Sequence, residues 1–523
     1  MDTTPTPSPQ PGKSDLVVFK PKQLRRFYEP IVLFKALNDI SRKWGRIRSP
    51  DRSPNPQTDD EEFQLFLDKL ALVCDRKKGG TTVTAVTVLD HDEDALTYVI
   101  GCNQISAPAR EKTSHFVLEL LKKVEGFNNL EPLEKPGVRN GIRDFILAYN
   151  RPRIECYMNS LLKELGNCIE SCSQIDFDDI SQIERSLKEL ETSIGDGVDK
   201  KIAEAEYLES CLYCLQRIKE FQRAAPMNTF IDERATEGRL PDHKSMVCWS
   251  ELRHNLARLL VYEKAVATFI ATEAKWSELF QEVKVKSVAS SRPDGNPLGK
   301  KSEEAQSVIG RMSSHAPTIA KYRKLSLNLE ADPYLLNDRI KEQCDKVNFR
   351  PIVHCEVLVL NWILAEYTEP RFFRNWRYIG TSKGPCKLCH YYFEAHPSQV
   401  KIRPAHGNVY TSWRFADLTK AQGEAGVRGR QNIFNSMMDA VRKDAFLILE
   451  EKSPIGKSHD SNTYTFMSHP ESDREVEVGG SDTSEVDNLI EQFEAGLSFT
   501  NTSTTDSLAL SGSDDEEGGT SLF

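Results

Sequence analysis

The chain has 523 residues, 39% of them hydrophobic and 28% charged, with a net charge of −10. That length accommodates two or three domains with ample core, and the composition is ordinary for a soluble protein once disordered ends are allowed for. The charge is uneven, because residues 451–523 hold 16 Asp and Glu against Lys452, Lys457 and Arg474; taking that −13 away leaves +3 on the rest.

In chain order, residues 1–20 are rich in Pro, Thr and Ser and predict disorder, and they lack the apolar stretch of a secretory leader. Residues 29–44 (EPIVLFKALNDISRKW) repeat Leu33, Leu37, Ile40 and Trp44 at helical spacing. Residues 46–60 read as a linker, and residues 61–74 as a second helix with Asp59 and Asp60 as cap and first-turn residues. Residues 81–105 change character: two β-rich runs flank the acidic stretch 90–94, which predicts a hairpin. From residue 110 to 283 apolar residues recur every three or four places, and 287–301 reads as a flexible break. Residues 107–340 are therefore expected to form a helical lobe, inserted between the hairpin and the segment that starts at residue 341.

Strand candidates come next at 377–380 and 401–405, then a long amphipathic helix over 429–451. The tail 451–523 is too acidic and Gly/Ser-rich to fold alone, apart from an apolar island at 488–499 that could dock as a peptide. The longest apolar run, 357–365, is too short to span a membrane. Twelve scattered cysteines point to a reducing compartment, cytoplasm or nucleus.

The chemistry concentrates in residues 349–396. His354-Cys355-Glu356 is followed by Pro385-Cys386-Lys387-Leu388-Cys389, an H-x-E…P-C-x-x-C pattern. One imidazole and two thiolates supply three zinc ligands and leave a fourth tetrahedral position for water. Glu356 remains to shuttle protons. His354 and Glu356 can share a pocket if the helix over 355–367 begins there, and a helix carrying Cys386 and Cys389 near its N-terminus favours thiolate.

Each of these residue types also has a plainer role. A bare C-x-x-C suits a redox pair or half of a structural zinc site, which His390 or His396 could complete. Cys211 with Cys214, Cys168 with Cys172, and Cys355 read as core residues. His406, Tyr410 and Trp413 either line a base pocket by stacking or simply close their loop, and Trp376 between Arg374 and Arg377 is equally open. Residues 371–430 carry 11 Lys and Arg against Glu394, Asp417 and Glu424, a balance of +8 that suits either a phosphate-bearing substrate or a solvated face.

At VHCE, YIGTSKGPCKLCHYYF and RPAHGNVYTSW, and at the hairpin ending in IGCNQ, the sequence resembles the cytidine deaminase-like superfamily of nucleic-acid and nucleotide deaminases. It is similar in particular to a branch expanded in fungi and related to bacterial toxin deaminases. The resemblance implies a mixed five-stranded sheet carrying two metal-bearing helices. It also implies that Asn103, after the second strand, contacts sugar or base. The helical insertion departs from simple members, as does Cys355 where Ala or Val is usual.

The expectation is an α/β, deaminase-like three-layer fold from residues 60–105 and 341–450. Zinc is expected on His354, Cys386 and Cys389, with Glu356 as the catalytic group. The expected reaction is hydrolytic deamination of a cytosine- or adenine-type base in nucleic acid or nucleotide, without membrane involvement. The rivals are a non-catalytic protein with a structural zinc, binding protein partners through lobe and tail, and a free-nucleoside deaminase.

Overall fold

The computed structural model describes residues 15–41, 56–91, 95–175, 179–195, 203–223, 225–237, 247–299, 303–347 and 349–451. Residues 1–14, most of the 46–60 linker and the tail from 452 onward lie outside the described residues.

Helix α1 spans Pro21–Ser41 and carries Pro30 inside it. The sequence pattern started this helix at residue 29; the earlier turns are carried by Phe27 and Tyr28, which pack in the core against Trp413, Phe415 and Phe349. Residues 15–20, within the stretch expected to be disordered, are placed: Val17 donates its N–H to the Leu418 carbonyl at 2.7 Å, and Arg430 sits 4.2 Å from the Phe19 ring centre. Helix α2 (Asp59–Cys74) is capped by Thr58, one residue before the predicted cap. Its hydroxyl accepts from the Glu61 N–H, while four acidic residues fill the first turn.

Strands β1 (Thr84–Leu89) and β2 (Thr97–Cys102) form the antiparallel hairpin that the alternation predicted. The lobe follows as α3 (Ala107–Val124), α4 (Lys135–Cys172), α5 (Ile180–Gly195), α6 (Glu204–Arg223), α7 (Ala225–Glu237) and α8 (Val247–Lys275). The chain then returns a strand to the sheet, β3 (Lys284–Val288), which pairs parallel with β2. The expected flexible break at 287–301 thus begins inside a strand. Ser290 continues the order, its hydroxyl donating to the Cys102 carbonyl at 2.9 Å and accepting from the Ile105 N–H at 3.1 Å. Three short helices, α9 (Ala305–Met312), α10 (Ala316–Leu327) and α11 (Leu336–Asp345), lead to α12 (Cys355–Glu366). Strand β4 (Tyr378–Thr381), helix α13 (Lys387–Ala395), strand β5 (Lys401–Ile402) and helix α14 (Gly423–Glu451) complete the order.

The five strands make one mixed sheet in the order β3-β2-β1-β4-β5. Both central strands are buried throughout, so each strand divides its side chains between two cores. Val86, Val88, Tyr98 and Ile100 face the core formed with α2 and the lobe. Ala85, Leu89 and Val99 face the core formed with α1, α12, α13 and α14. This is the three-layer α/β deaminase-like arrangement. Two glycines set its layer spacing: a Cβ on Gly101 would lie 2.7 Å from Val359, and one on Gly380 would lie 2.5 Å from the Leu67 backbone. Their absence lets α12 and α2 seat directly on opposite faces.

Candidate metal centre

The candidate metal ligands sit at two helix starts that the sheet brings together. His354 is the residue before α12, in extended conformation (φ −70°, ψ 152°), so it is not held to helical spacing from Glu356. The segment before it is fixed by a bridge to residues 412–414, with Ile352 N–H on the Ser412 carbonyl at 2.9 Å and Arg414 N–H on the Ile352 carbonyl at 2.8 Å. Cys386 caps α13 rather than lying within it as the sequence suggested; its Sγ accepts from the Cys389 N–H at 3.4 Å. A thiol can take this capping role because its sulfur is a weak acceptor. The loop ahead of it is clamped by His406 N–H on the Pro385 carbonyl and Lys387 N–H on the Asn408 carbonyl.

His354 Nδ1 lies 3.6 Å from Cys386 Sγ and 3.5 Å from Cys389 Sγ. All three residues are buried, and among the described residues this is the group whose donor atoms converge closely enough to hold a metal ion. Zinc ligand bonds of about 2.0–2.1 Å to nitrogen and 2.3 Å to sulfur, at tetrahedral angles, put N and S about 3.5 Å apart. The observed separations fit a single bridged ion. His390 pairs with Glu394 and His396 with Ser398, so neither completes a four-ligand structural site.

The electrostatics agree with the donor set. Burial would raise the Cys386 thiol, but hydrogen bonding from Cys389 and the charge of His354 hold it well below its ordinary value. Burial, and then the Cys386 thiolate, push Cys389 well above. Without metal the pair therefore shares one proton. Glu356 is 3% exposed, and burial raises its carboxyl above the usual range while the His354 charge opposes it. The Cys355 thiol donates to Glu356 Oε2 at 3.4 Å; burial holds that thiol well above its ordinary value, so it remains a donor.

Asn103 follows β2 and reaches α12. Its Oδ1 accepts the Cys355 N–H at 2.8 Å, and its Nδ2 donates to the Gly80 carbonyl at 2.9 Å. The residue expected at the sugar or base thus caps the metal-bearing helix from the neighbouring strand. Tyr410 is half-buried, its ring 6.4 Å from His354 and 5.6 Å from His406. His406 is buried, with Nδ1 accepting the Asn408 N–H at 3.0 Å.

Trp413 corrects the stacking expectation. Its side chain is 0% exposed among Phe27, Tyr392 and Phe415, out of reach of a base, and its indole N–H donates to Cys389 Sγ at 3.3 Å. No spacing rule ties a tryptophan 24 residues away to a thiol, so the sequence carries no signal for this contact. Trp376 packs with Phe63, Trp276 and Phe373, away from the centre. Cys168, Cys172, Cys211 and Cys214 are buried core residues. Much of the +8 balance is engaged internally: Lys387 pairs with Asp444, Arg403 with Asp68 and Arg414 with Asp417.

The fold and the His-Cys-Cys centre together define a deaminase-like α/β protein. More particularly, residues 353–417 match a family model described as OTT_1508_deam-like deaminase. The match takes in the metal motif and the loop bearing His406, Tyr410 and Trp413, and leaves out the lobe. No curated protein and no solved structure matches the chain. No helix among the described residues is long and apolar enough to cross a membrane.

Proposed function

We propose that the chain is a zinc-dependent hydrolytic deaminase of a cytosine- or adenine-type base carried by nucleic acid or nucleotide, within the fungal-expanded branch that its motifs resemble. The observation that carries this reading is a buried imidazole and two sulfurs converging within bonding reach of one ion, beside a buried carboxyl that no ligand role claims. His354, Cys386 and Cys389 hold the zinc. Zinc bound there supplies a Lewis acid that lowers the pKa of a coordinated water to about 7.

Glu356 takes a proton from the attacking water, passes it to the ring nitrogen and assists the departure of ammonia. A C–O bond forms first at the ring carbon that bears the amine, and the C–N bond to the protonated amine then breaks to release ammonia. The raised carboxyl of Glu356 suits a group that must hold a proton partway through this sequence. Asn103 and the Cys355 thiol position the helix start and the carboxyl, and Tyr410 is the ring left accessible enough to stack on a base. Twelve free thiols fit a cytoplasmic or nuclear setting.

The test incubates purified, zinc-loaded protein with single-stranded DNA, RNA, nucleotides and nucleosides and reads C-to-U and A-to-I conversion by mass. Glu356→Gln is expected to keep stoichiometric zinc and lose about 10²–10⁴-fold in rate, the usual share of general acid–base catalysis. Zinc bound with no conversion of any substrate, or full activity in Glu356→Gln, overturns the reading.

A further inference from the structure

Where the lobe meets the sheet, the described residues bury more positive charge than they neutralise. Arg153 and Tyr157 lie one turn apart on α4, and Arg258 lies on α8, which packs beside it. The Arg153 and Arg258 guanidinium carbons sit 5.7 Å and 5.5 Å from the centre of the same Tyr157 ring. Lys383, in the loop between β4 and Cys386, is near enough for its charge to act on the Tyr157 phenol, and it shares one turn with Arg153, donating to the Gly79 carbonyl as Arg153 donates to that of Lys77. The three cations, Arg153, Arg258 and Lys383, are 1%, 3% and 9% exposed respectively.

Their partners are unequal. Arg153 meets Asp75 Oδ2 at 2.5 Å and donates to the Asp75 and Lys77 carbonyls. Asp75 is also occupied by the hydroxyls of Thr82 and Ser382, at 2.6 Å and 3.1 Å. Lys383 Nζ donates to a neutral oxygen, the Gly79 carbonyl, at 3.2 Å. Arg258 makes no hydrogen bond or ion pair among the described residues, and its Nε is enclosed without a partner. Among the described residues, three buried cations thus share one carboxylate.

A buried charge without a counter-ion is costly, and a guanidinium fork pairs bidentately with carboxylate or phosphate, of which phosphate brings the larger negative charge to a cluster with two cations in excess. We infer that the junction of α4, α8 and the Lys383 loop is a binding site for a phosphate group, held by Arg258 and Lys383 with Arg153 as the fixed wall. The pull of these three cations on the Tyr157 phenol, which they bring down to about 7 against the effect of burial, reports the same unmatched field. Lys383 is three residues ahead of Cys386, and Asp75 is close enough to act on Cys355 beside His354. The phosphate belongs either to a free phosphate or polyphosphate anion that ties lobe to core, or to a nucleotide whose base reaches the metal centre. The second source rests on the proposed deaminase function.

The experiment uses full-length, zinc-loaded protein freed of phosphate, titrated at constant ionic strength with inorganic phosphate, pyrophosphate and a nucleoside monophosphate. Thermal unfolding and the ultraviolet titration of Tyr157 are the readouts. A saturable rise in Tm with inorganic phosphate or pyrophosphate, with the phenol titrating at higher pH, supports a free anion. A response to the monophosphate alone, with the parent nucleoside unaffected by the variants, supports the substrate phosphate.

In either case Arg258→Met and Lys383→Met should each weaken binding about tenfold or more, the effect of losing a charged hydrogen bond. Arg258→Met should also be more stable than the parent in phosphate-free buffer, and if it fails to fold Lys383→Met carries the test. No saturable response to any probe, or equal affinity in parent and variants, overturns the site. Because these readouts need no turnover, phosphate binding without deamination would sink the proposed function and leave this inference standing.

Discussion

Trp413→Phe tests whether the indole N–H on Cys389 serves a metal-bound thiolate or merely fills space. The substitution removes one donor and roughly 40 Å³ of side chain, which at about 24 cal/mol per Å³ of residual cavity costs about 1 kcal/mol of stability. That cost falls equally on the metal-free and the zinc-bound protein, so it cancels from the zinc affinity. The hydrogen bond does not cancel. Without metal, burial and the neighbouring Cys386 thiolate keep Cys389 protonated, and the Trp413 bond is to a neutral sulfur.

Zinc binding makes that sulfur a thiolate. Hydrogen bonds to neutral groups contribute about 0.5–1.5 kcal/mol and those to charged groups about 1.5–3 kcal/mol. The difference of about 1–1.5 kcal/mol predicts a zinc dissociation constant roughly tenfold higher in Trp413→Phe, at the lower end of what outer-shell partners usually contribute. Chelator competition at fixed pH measures it, with denaturant unfolding of the metal-free protein reporting the cavity cost separately. An unchanged zinc affinity alongside the expected loss of stability would refute the argument that Cys389 is a ligand.

Asp75→Asn should destabilise the protein by about 3–5 kcal/mol, read as a lower denaturant midpoint, because it leaves Arg153 buried without its counter-charge; adding Arg153→Met should restore part of the loss. The Tyr157 phenol, held near 7 in the folded protein against 10.0 ordinarily, should titrate near neutral pH, and Tyr157→Phe should abolish that transition. The folded state sheds this proton first, so its contribution to stability is complete above pH 10, declines by at most about 1.4 kcal/mol per unit as pH falls from 10 to 7, and is absent below 7.

The candidate metal motif was legible because its residues stand out by type and by spacings within single turns. His354 before a helix, and Cys386 with Cys389 three apart at the start of another, are each placed at a helix start by local geometry, and the sheet then brings the two starts together. The β1–β2 hairpin was legible for the same reason, since two β-rich runs around a short acidic turn are a local record of paired strands. Strand β3 was not. Its segment, KVKSV, alternates charge with small apolar residues and runs into a Ser-rich stretch, and only pairing with β2 makes it a strand. Helix α1 was read short because its first turns carry exposed charge, and their burial against α14 is not written locally.

By itself the sequence determined which atoms can bind the ion and which carboxyl is spare. The tertiary structure alone decided what surrounds them. Asn103 meets Cys355 across 252 positions, and Trp413 faces Cys389 from a separate loop. Arg258 is brought against Tyr157 by two lobe helices, and the charge of Lys383 acts on the same phenol from a loop of the core. Short-range chemistry is encoded in adjacent residues, whereas the partners of a buried charge or a sulfur lone pair are set by how the layers pack, and packing joins positions that no periodicity connects.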